Sequence, residues 1–278
     1  MKFSFVLATV GRVHELERFL ESLKHQNHAE IELIVVDQST DRLAEPLLST
    51  YQSSFQITYL TAPLGLSRAR NEGLKYVNGE VVAFPDDDCE YPRAVLSQIE
   101  EILVLQPETQ VVLGRWEDRF GKNYALRFDS KEGFVDKWSV GRRVSSTAMF
   151  FRREVIEQVG SFDEELGVGA YWGSSEDVDY VLRSIEEGFR VFYHPKLVIW
   201  HPNSNQEECG ASALEKLHKY AMGTGRVIRK HDYPIWFIVY VVMRSLLAAA
   251  YWGFRGQKCF GQRKVVAARG YMKGWLGN

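Results

Sequence analysis

The stretch Gly79-Glu80-Val81-Val82-Ala83-Phe84-Pro85-Asp86-Asp87-Asp88-Cys89-Glu90-Tyr91 decides how this chain folds. Four apolar residues, Val81 to Phe84, stop at Pro85, and three aspartates follow at once. A short apolar run bounded by turn signals reads as a buried strand of a parallel sheet. In open α/β sheets ligands collect outside the carboxyl ends of the strands, which is where these carboxylates fall. Three adjacent carboxylates repel one another unless a positive group sits among them. Their hard oxygens suit Mg2+ or Mn2+, ions that keep coordination positions for substrate phosphates. An acidic triplet by itself is more often a solvated turn. Its place directly after a core strand favours the ligand-binding reading.

Outward from this stretch, apolar runs alternate with helical periodicity. Strands are expected at Phe3 to Ala8 (ending on Thr9), Ile31 to Val36 (ending on Asp37), Ile57 to Leu60 and Val111 to Gly114. Between them Val13 to Leu23, Leu43 to Tyr51, Leu66 to Val77 and Ala94 to Leu105 carry helix-spaced apolar residues. This β-α-β alternation predicts an α/β fold with a doubly wound, mostly parallel sheet of nucleotide-binding type. The pattern loosens over 115–144, as in a hairpin or excursion, then resumes as a strand at Ser146 to Phe151 and a helix at Glu154 to Val159. A glycine-rich loop, Gly160 to Ser175, leads to a helix at Glu176 to Glu187. Two short strands follow, Val191 to Tyr193 and Leu197 to Trp200, reaching His201.

The net charge of -2 hides an asymmetry. From Lys216 to the end there are twelve Lys/Arg against one acid, Asp232, so this segment carries +11 and residues 1–215 carry -13. An acidic body argues against nucleic acid as a partner, and a basic tail favours an anionic lipid surface. Within the tail, Ala211 to Lys230 reads as a basic helix, and Pro234 to Phe254 holds a single charge, Arg244. That apolar length could span a bilayer. The central arginine, the scattered aromatics and the basic flanks suit a helix lying in the membrane interface better. Packing on the domain as ordinary core is the alternative. The first strand begins at once with no secretory leader before it, so a cytoplasmic location, peripheral on the inner face of the cell membrane, is expected. Cys89, Cys209 and Cys259 lack metal-type spacing and imply no disulfide framework.

Several groups could carry chemistry. Thr9 and Asp37 end the first two strands, on the same rim as Asp86 to Asp88 if the sheet is parallel. A carboxylate there can accept hydrogen bonds from a ribose or base edge, and serves equally well as a turn or cap residue. Arg68 and Arg70 open a helix after the permissive Gly65, a plausible diphosphate contact or a solvated helix face. Glu176 and Asp177 open another helix, where its dipole favours negative charge and where a general base could be held ionised. His201 is either a hydrogen-bonded core group or a metal ligand.

In this order the pieces resemble the family-2 inverting glycosyltransferases of the GT-A fold, over about residues 1–205. The segments that carry the likeness are Phe5 to Arg12 (FVLATVGR), Ile34 to Asp41 (IVVDQSTD), Gly65 to Gly73 (GLSRARNEG) with Phe84 to Cys89 (FPDDDC), and Ser175 to Arg183 (SEDVDYVLR). Each segment is weak alone; their order and separation are specific. The resemblance implies a catalytic domain at 1–205, with a nucleotide-sugar half (1–114) and an acceptor-side half (115–205), followed by a membrane-attaching helical tail (206–278). It implies that Asp37 contacts the base with Thr9 beside it, and that Arg68, Arg70, Asp86 and Asp87 face the nucleotide-sugar. Asp86 and Asp88 become the outer carboxylates of the D-x-D motif, with Asp88 the direct ligand of Mn2+ or Mg2+ and His201 joining it. Asp177, with Glu176 before it, becomes the catalytic base, and Trp172 and Gly173 fall on an acceptor-side loop. Gln38 stands where the family often has a second aspartate.

The implied reaction moves a sugar from a nucleotide-diphosphate donor, most simply UDP-linked, to a hydroxyl of a lipid-linked or polysaccharide acceptor. Two other classes compete. A sugar-phosphate nucleotidyltransferase calls for a glycine- and lysine-rich phosphate loop after strand one, and Thr9-Val10-Gly11-Arg12 matches that poorly. A catalytically silent sugar-nucleotide or glycan-binding module has no need of both acidic pairs.

Overall fold

The fold was taken from a computed structural model that describes residues 1–27, 30–122, 128–202 and 209–277. It divides into two compact units. The first comprises Met1–Phe162 with Tyr180–Ser204, and the second Asp163–Asp179 with Asn205–Asn278. The sequence places a single boundary near residue 205; in the structure the glycine-rich segment 163–179 joins the C-terminal helices.

The first unit is built in the order β1 (Phe3–Thr9), α1 (Val13–Lys24), β2 (Ile31–Asp37), α2 (Ala44–Thr50), β3 (Gln56–Thr61), α3 (Leu66–Leu74), β4 (Val81–Ala83), α4 (Val95–Leu105) and β5 (Val111–Glu117). Then come β6 (Gly133–Phe134), β7 (Met149–Arg152), α5 (Arg153–Val159), α6 (Glu176–Glu186), whose first turn belongs to the second unit, and β8 (Val191–Trp200). The eight strands form one sheet in the order β3-β2-β1-β4-β7-β5-β8-β6. β1 pairs in parallel with β2 and β4, β2 with β3, and β5 with β8, while β7 is antiparallel to both β4 and β5. The sheet is thus α/β and mostly parallel, as expected, with one reversed strand, β7, in its middle and another, β6, antiparallel to β8 at its edge.

β1 and β2 are buried on both faces along their whole length, as strands between helical layers must be. Helix α1 covers one face with Leu16, Phe19, Leu20 and Leu23, all fully or almost fully buried. Phe5, Phe19, Tyr91 and Phe150 meet edge to face in the core on that side.

Three local expectations are corrected. Val191 to Trp200 is a single strand, because the His194-Pro195-Lys196 interruption bulges where the β5 register shifts between Leu113 and Arg115. Gly114 permits that bulge, since a Cβ there would lie 2.5 Å from the Leu197 carbonyl oxygen. The strand expected at 146 begins only at Met149, after a 3-10 turn at Ser146–Ala148. The expected excursion at 115–144 is shorter, because β5 runs on to Glu117 and β6 pairs with β8; residues 123–127 of it lie outside the described residues.

The second unit contains α7 (Ala211–Lys230), α8 (Ile235–Phe254) and α9 (Lys258–Leu276). Helices α7 and α9 touch through small residues. A Cβ on Gly274 would lie 1.9 Å from the Met222 carbonyl oxygen, and one on Gly225 would lie 2.1 Å from that of Tyr271. Cys209 and Cys259 are joined as a disulfide, and Cys89 is free and buried. The sequence pattern implied no disulfide framework, and the structure shows one link. Fifty residues of separation carry no pairing signal, and helix packing brings the two together.

Candidate active site

The carboxyl ends of β1, β2 and β4 form one rim, because all three strands run the same way. Thr9 stands opposite Asp37 in the β1–β2 register, and Asp86 bridges Ala8 just beyond β4. β8 ends beside them. Trp200 exchanges backbone hydrogen bonds with Glu90, and the His201 N–H donates to the Glu117 carbonyl at 3.0 Å. This places the His201 ring next to the aspartates, tilted against Trp116 with ring centroids 5.0 Å apart.

Asp86, Asp88 and His201 each turn one ligand atom into a common space, all three within 4.8 Å of one another. His201 Nε2 lies 3.2 Å from Asp88 Oδ1 and 3.9 Å from Asp86 Oδ2. Oδ1 of Asp88 is buried and makes no well-formed hydrogen bond. Two carboxylates and an imidazole, with a buried acceptor oxygen aimed between them, fit one divalent cation.

The middle aspartate has a different task. Asp87 is fully buried; its Oδ2 accepts from Thr9 Oγ1 at 2.7 Å and from Arg12 Nε at 3.2 Å. Arg12 also pairs with Asp87 Oδ1 and donates from Nη1 to Asp88 Oδ2 at 2.8 Å. Thr9 and Asp87, expected to face the nucleotide-sugar, are bonded to each other, and with Arg12 they hold the aspartate loop. Burial pushes the Asp87 carboxyl up to about 6, against the opposing pull of Thr9 and Arg12. Burial pushes Asp88 the same way, but His201 and Arg12 outweigh it and hold its carboxyl below the usual range. Burial pulls His201 down, and Asp88 and Asp86 more than reverse that.

Arg70 reaches this cluster from α3. It is fully buried, its Nη2 lies 3.5 Å from Asp86 Oδ1, and its guanidinium sits over Phe84 and Phe162 at 5.8 and 5.5 Å. It is enclosed beside Asp86, whereas Arg68 on the same helix is exposed. Asp37 is also fully buried. One oxygen accepts from the Ser39 N–H and hydroxyl (2.8 and 2.6 Å) and the other from the Tyr59 hydroxyl at 2.9 Å. These bonds brace the turn after β2, one of the two roles its spacing left open. Gln38 holds the turn before α3, accepting from the Gly65 N–H at 2.7 Å.

In the second unit, Glu176 is buried and Asp177 half-buried in the first turn of α6, where Asp177 Oδ1 accepts the Val178 N–H at 2.8 Å. Trp172 is buried with the Arg226 guanidinium 5.3 Å from its ring, so the exposed aromatic of this loop is Tyr171. Gly173 adopts φ +67°, and a Cβ there would press on Lys219. Sequence reasoning missed Arg12 as a site residue. The signal was the aspartate triplet itself, which demanded a cation and had one at the end of the segment Phe5 to Arg12.

Comparison with known proteins follows the same lines. The family model described as glycosyl transferase family 2 matches residues 4–160. The glycosyltransferase AglE of Haloferax volcanii is 23% identical over 258 residues, covering 90% of this chain and 79% of its own. The pre-mycofactocin glycosyltransferase of Mycobacterium tuberculosis is 30% identical over 151 residues; the match takes in 51% of this chain and only 31% of that protein. Among solved structures, the mannosyltransferase PcManGT of Pyrobaculum calidifontis, in complex with GDP-Man and Mn2+, superposes with a TM-score of 0.70 at 16% identity, covering 100% of this chain and 88% of that one. S. aureus TarS 1-349 in complex with UDP-GlcNAc gives 0.61 at 15% identity, covering 100% and 93%. At such identities these two establish the fold alone, a GT-A sheet. The family match extends over more than half of the chain, and this protein belongs to glycosyl transferase family 2.

Proposed function

We propose that the protein is a metal-dependent, inverting glycosyltransferase that moves a hexose-like sugar from a UDP-type donor to a hydroxyl of a lipid-linked or polysaccharide acceptor. The observation that carries this reading is the Asp86–Asp88–His201 cluster on the carboxyl rim of the sheet. These three residues would hold Mn2+ or Mg2+. Bound there, such an ion neutralises the charge that grows on the departing nucleoside diphosphate. Arg12 and Arg70 keep the two outer carboxylates aimed at that position, and Asp87, tied to Thr9, fixes the loop between them. Arg68, exposed on α3, would meet donor phosphate.

Asp177 is the base, with Glu176 beside it. Its carboxylate oxygen takes the proton from the acceptor hydroxyl as that oxygen attacks the anomeric carbon from the face opposite the leaving diphosphate. One displacement inverts the configuration and needs no covalent enzyme intermediate.

Membrane attachment belongs to the same reading. Helix α8 is 20 residues long and apolar enough to cross a bilayer by length and composition. Ile235, Trp236, Val239, Tyr240, Leu247 and Tyr251 on it are all more than half exposed, and so is Phe254. Exposed Arg244 near its centre and the basic residues of α9 favour a helix lying in an anionic interface on the inner, cytoplasmic face of the cell membrane.

The test is a panel of UDP- and GDP-sugars with Mn2+ or Mg2+, assayed for nucleoside diphosphate release. Asp177→Asn should abolish transfer while donor affinity stays within about threefold (under 1 kcal/mol). Release of inorganic diphosphate would point to a nucleotidyltransferase, and tight binding without turnover to a silent binding module.

A further inference from the structure

Helix α7 does more than lead into a membrane tail. Within the second unit it grips the acid-bearing turn of α6 at two places. At one end, Ser174 Oγ donates to the Tyr220 carbonyl at 2.8 Å, and Ser175 Oγ lies 3.4 Å from Thr224 Oγ1. The approach is too close for side chains. A Cβ on Gly223 would lie 2.4 Å from the Ser174 carbonyl oxygen, and one on Gly173 would lie 2.8 Å from Lys219 Cβ. At the other end, Asp179 is fully buried and its Oδ1 accepts from His231 Nε2 at 2.8 Å. Lys230 Nζ lies 2.8 Å from the same oxygen and donates to Asp163 Oδ2 at 2.7 Å. Tyr220, Thr224 and His231 are four and seven residues apart, so they share one face of α7.

Between these two grips the backbone is held in an unfavourable shape. Ser175 has φ +70°, a left-handed conformation that a residue with a Cβ adopts only when its surroundings impose it. The Ser175 carbonyl then accepts the Asp179 N–H at 3.0 Å, and Asp177 Oδ1 accepts the Val178 N–H at 2.8 Å. The carboxylate of Asp177 is therefore tied to the same turn that Asp179 anchors. A shift of that turn shifts the carboxylate with it, and an error of about 1 Å in a reacting group can cost two orders of magnitude in rate.

We propose that Asp179, pinned by His231 and Lys230 at the end of α7, is the positioning residue that aims Asp177 for proton transfer, and that α7 is the strut which makes the C-terminal segment part of the transfer machinery. The inference rests on the reading of Asp177 as the base. Removing the pin leaves donor binding, which depends on the Asp86–Asp88–His201 cluster, untouched and lowers the rate of the transfer step.

The experiment uses the full chain with Mn2+ and, in turn, UDP-N-acetylglucosamine and GDP-mannose as probes. It combines steady-state kinetics with hydrogen–deuterium exchange across residues 173–180. His231→Ala is expected to lower kcat at least tenfold with donor KM within twofold, and to speed exchange of the 176–179 amides at least tenfold. His231→Gln, whose amide can donate to Asp179 in place of Nε2, should recover most of both. Ser174→Ala, which releases the other grip and leaves the buried carboxylate paired, should show the same pattern more weakly and serves if His231→Ala does not fold. Unchanged kcat in His231→Ala, or a loss of kcat that His231→Gln fails to restore, would overturn the proposal. If neither probe is turned over by the wild type, the transferase reading is what fails, and exchange alone decides the strut. Unaltered protection of 176–179 in His231→Ala would then refute it.

Discussion

Gly73→Ala tests how the fold delivers Arg70 to the aspartate cluster. By local preference this change should help, since alanine is favoured over glycine inside a helix by at most about 1 kcal/mol. The structure predicts the opposite sign. A Cβ on Gly73 would lie 2.5 Å from Val6 Cγ1, 3.2 Å from Val36 Cγ2 and 3.3 Å from Ile34 Cγ2, all on buried strands β1 and β2. Carbon atoms rest about 3.5–4.0 Å apart, so α3 must back away from the sheet by roughly 1 Å. Overpacking of this kind costs about 1–3 kcal/mol, leaving a net loss of up to about 2 kcal/mol once the helix gain is counted. For a chain of this size that lowers the melting temperature by up to about 8 °C. Arg70 sits one turn earlier on the same face, so it withdraws from Asp86 as the helix moves. The assay is thermal unfolding of the full chain, with Gly253→Ala as control, because no atom lies within 4 Å of a Cβ there. The control should be neutral or slightly stabilised. A Gly73→Ala protein that melts at or above the wild-type temperature would falsify the claim that α3 is seated by this close approach.

Other residues give independent tests. Asp88→Ala should weaken Mn2+ binding at least about tenfold, or 1.4 kcal/mol, by titration calorimetry; affinity equal to wild type would remove Asp88 from the metal site. Buried Glu32 joins Lys2 at 2.5 Å, the Asn78 N–H at 2.6 Å and the Ser4 hydroxyl. Burial pushes its carboxyl up, yet these partners outweigh burial and hold it below its usual value. Its contribution is therefore full above the unfolded value of about 4.3 and fades as pH falls through the folded one. Glu32→Gln should cost about 1–3 kcal/mol at neutral pH in urea unfolding and much less in acid, and a pH-independent difference would contradict this account. Replacing exposed Met243 and Leu247 on α8 by glutamate should abolish co-sedimentation with phosphatidylglycerol vesicles. Retained binding would show that this face is not the one that meets lipid. Point changes are preferable to truncation here, because α9 packs on α7 through Gly270 and Gly274 and cannot be cut away without opening that contact.

By itself the sequence determined the strands that carry the site and the ends at which their functional residues sit. Thr9, Asp37 and Asp86 were legible because a buried parallel strand is a short apolar run closed by a turn residue, a signal confined to a few neighbours. The length of α7 was legible for the same reason. What only the tertiary structure decided was pairing across distance. β7 enters antiparallel between β4 and β5, and no local pattern marks a strand's partner or direction. Asp37, Asp87 and Arg70 were legible as polar groups near a rim, but their roles depend on what covers them. Fully buried, they spend their charge on Ser39 and Tyr59, on Thr9 and Arg12, and on Asp86. The Cys209–Cys259 link and the grip of α7 on Ser174 and Asp179 belong to the same class. A chain can write into its order which groups it carries and which element holds them. The solvent each group loses, and the partner that replaces that solvent, are settled only when segments dozens of residues apart are packed against one another.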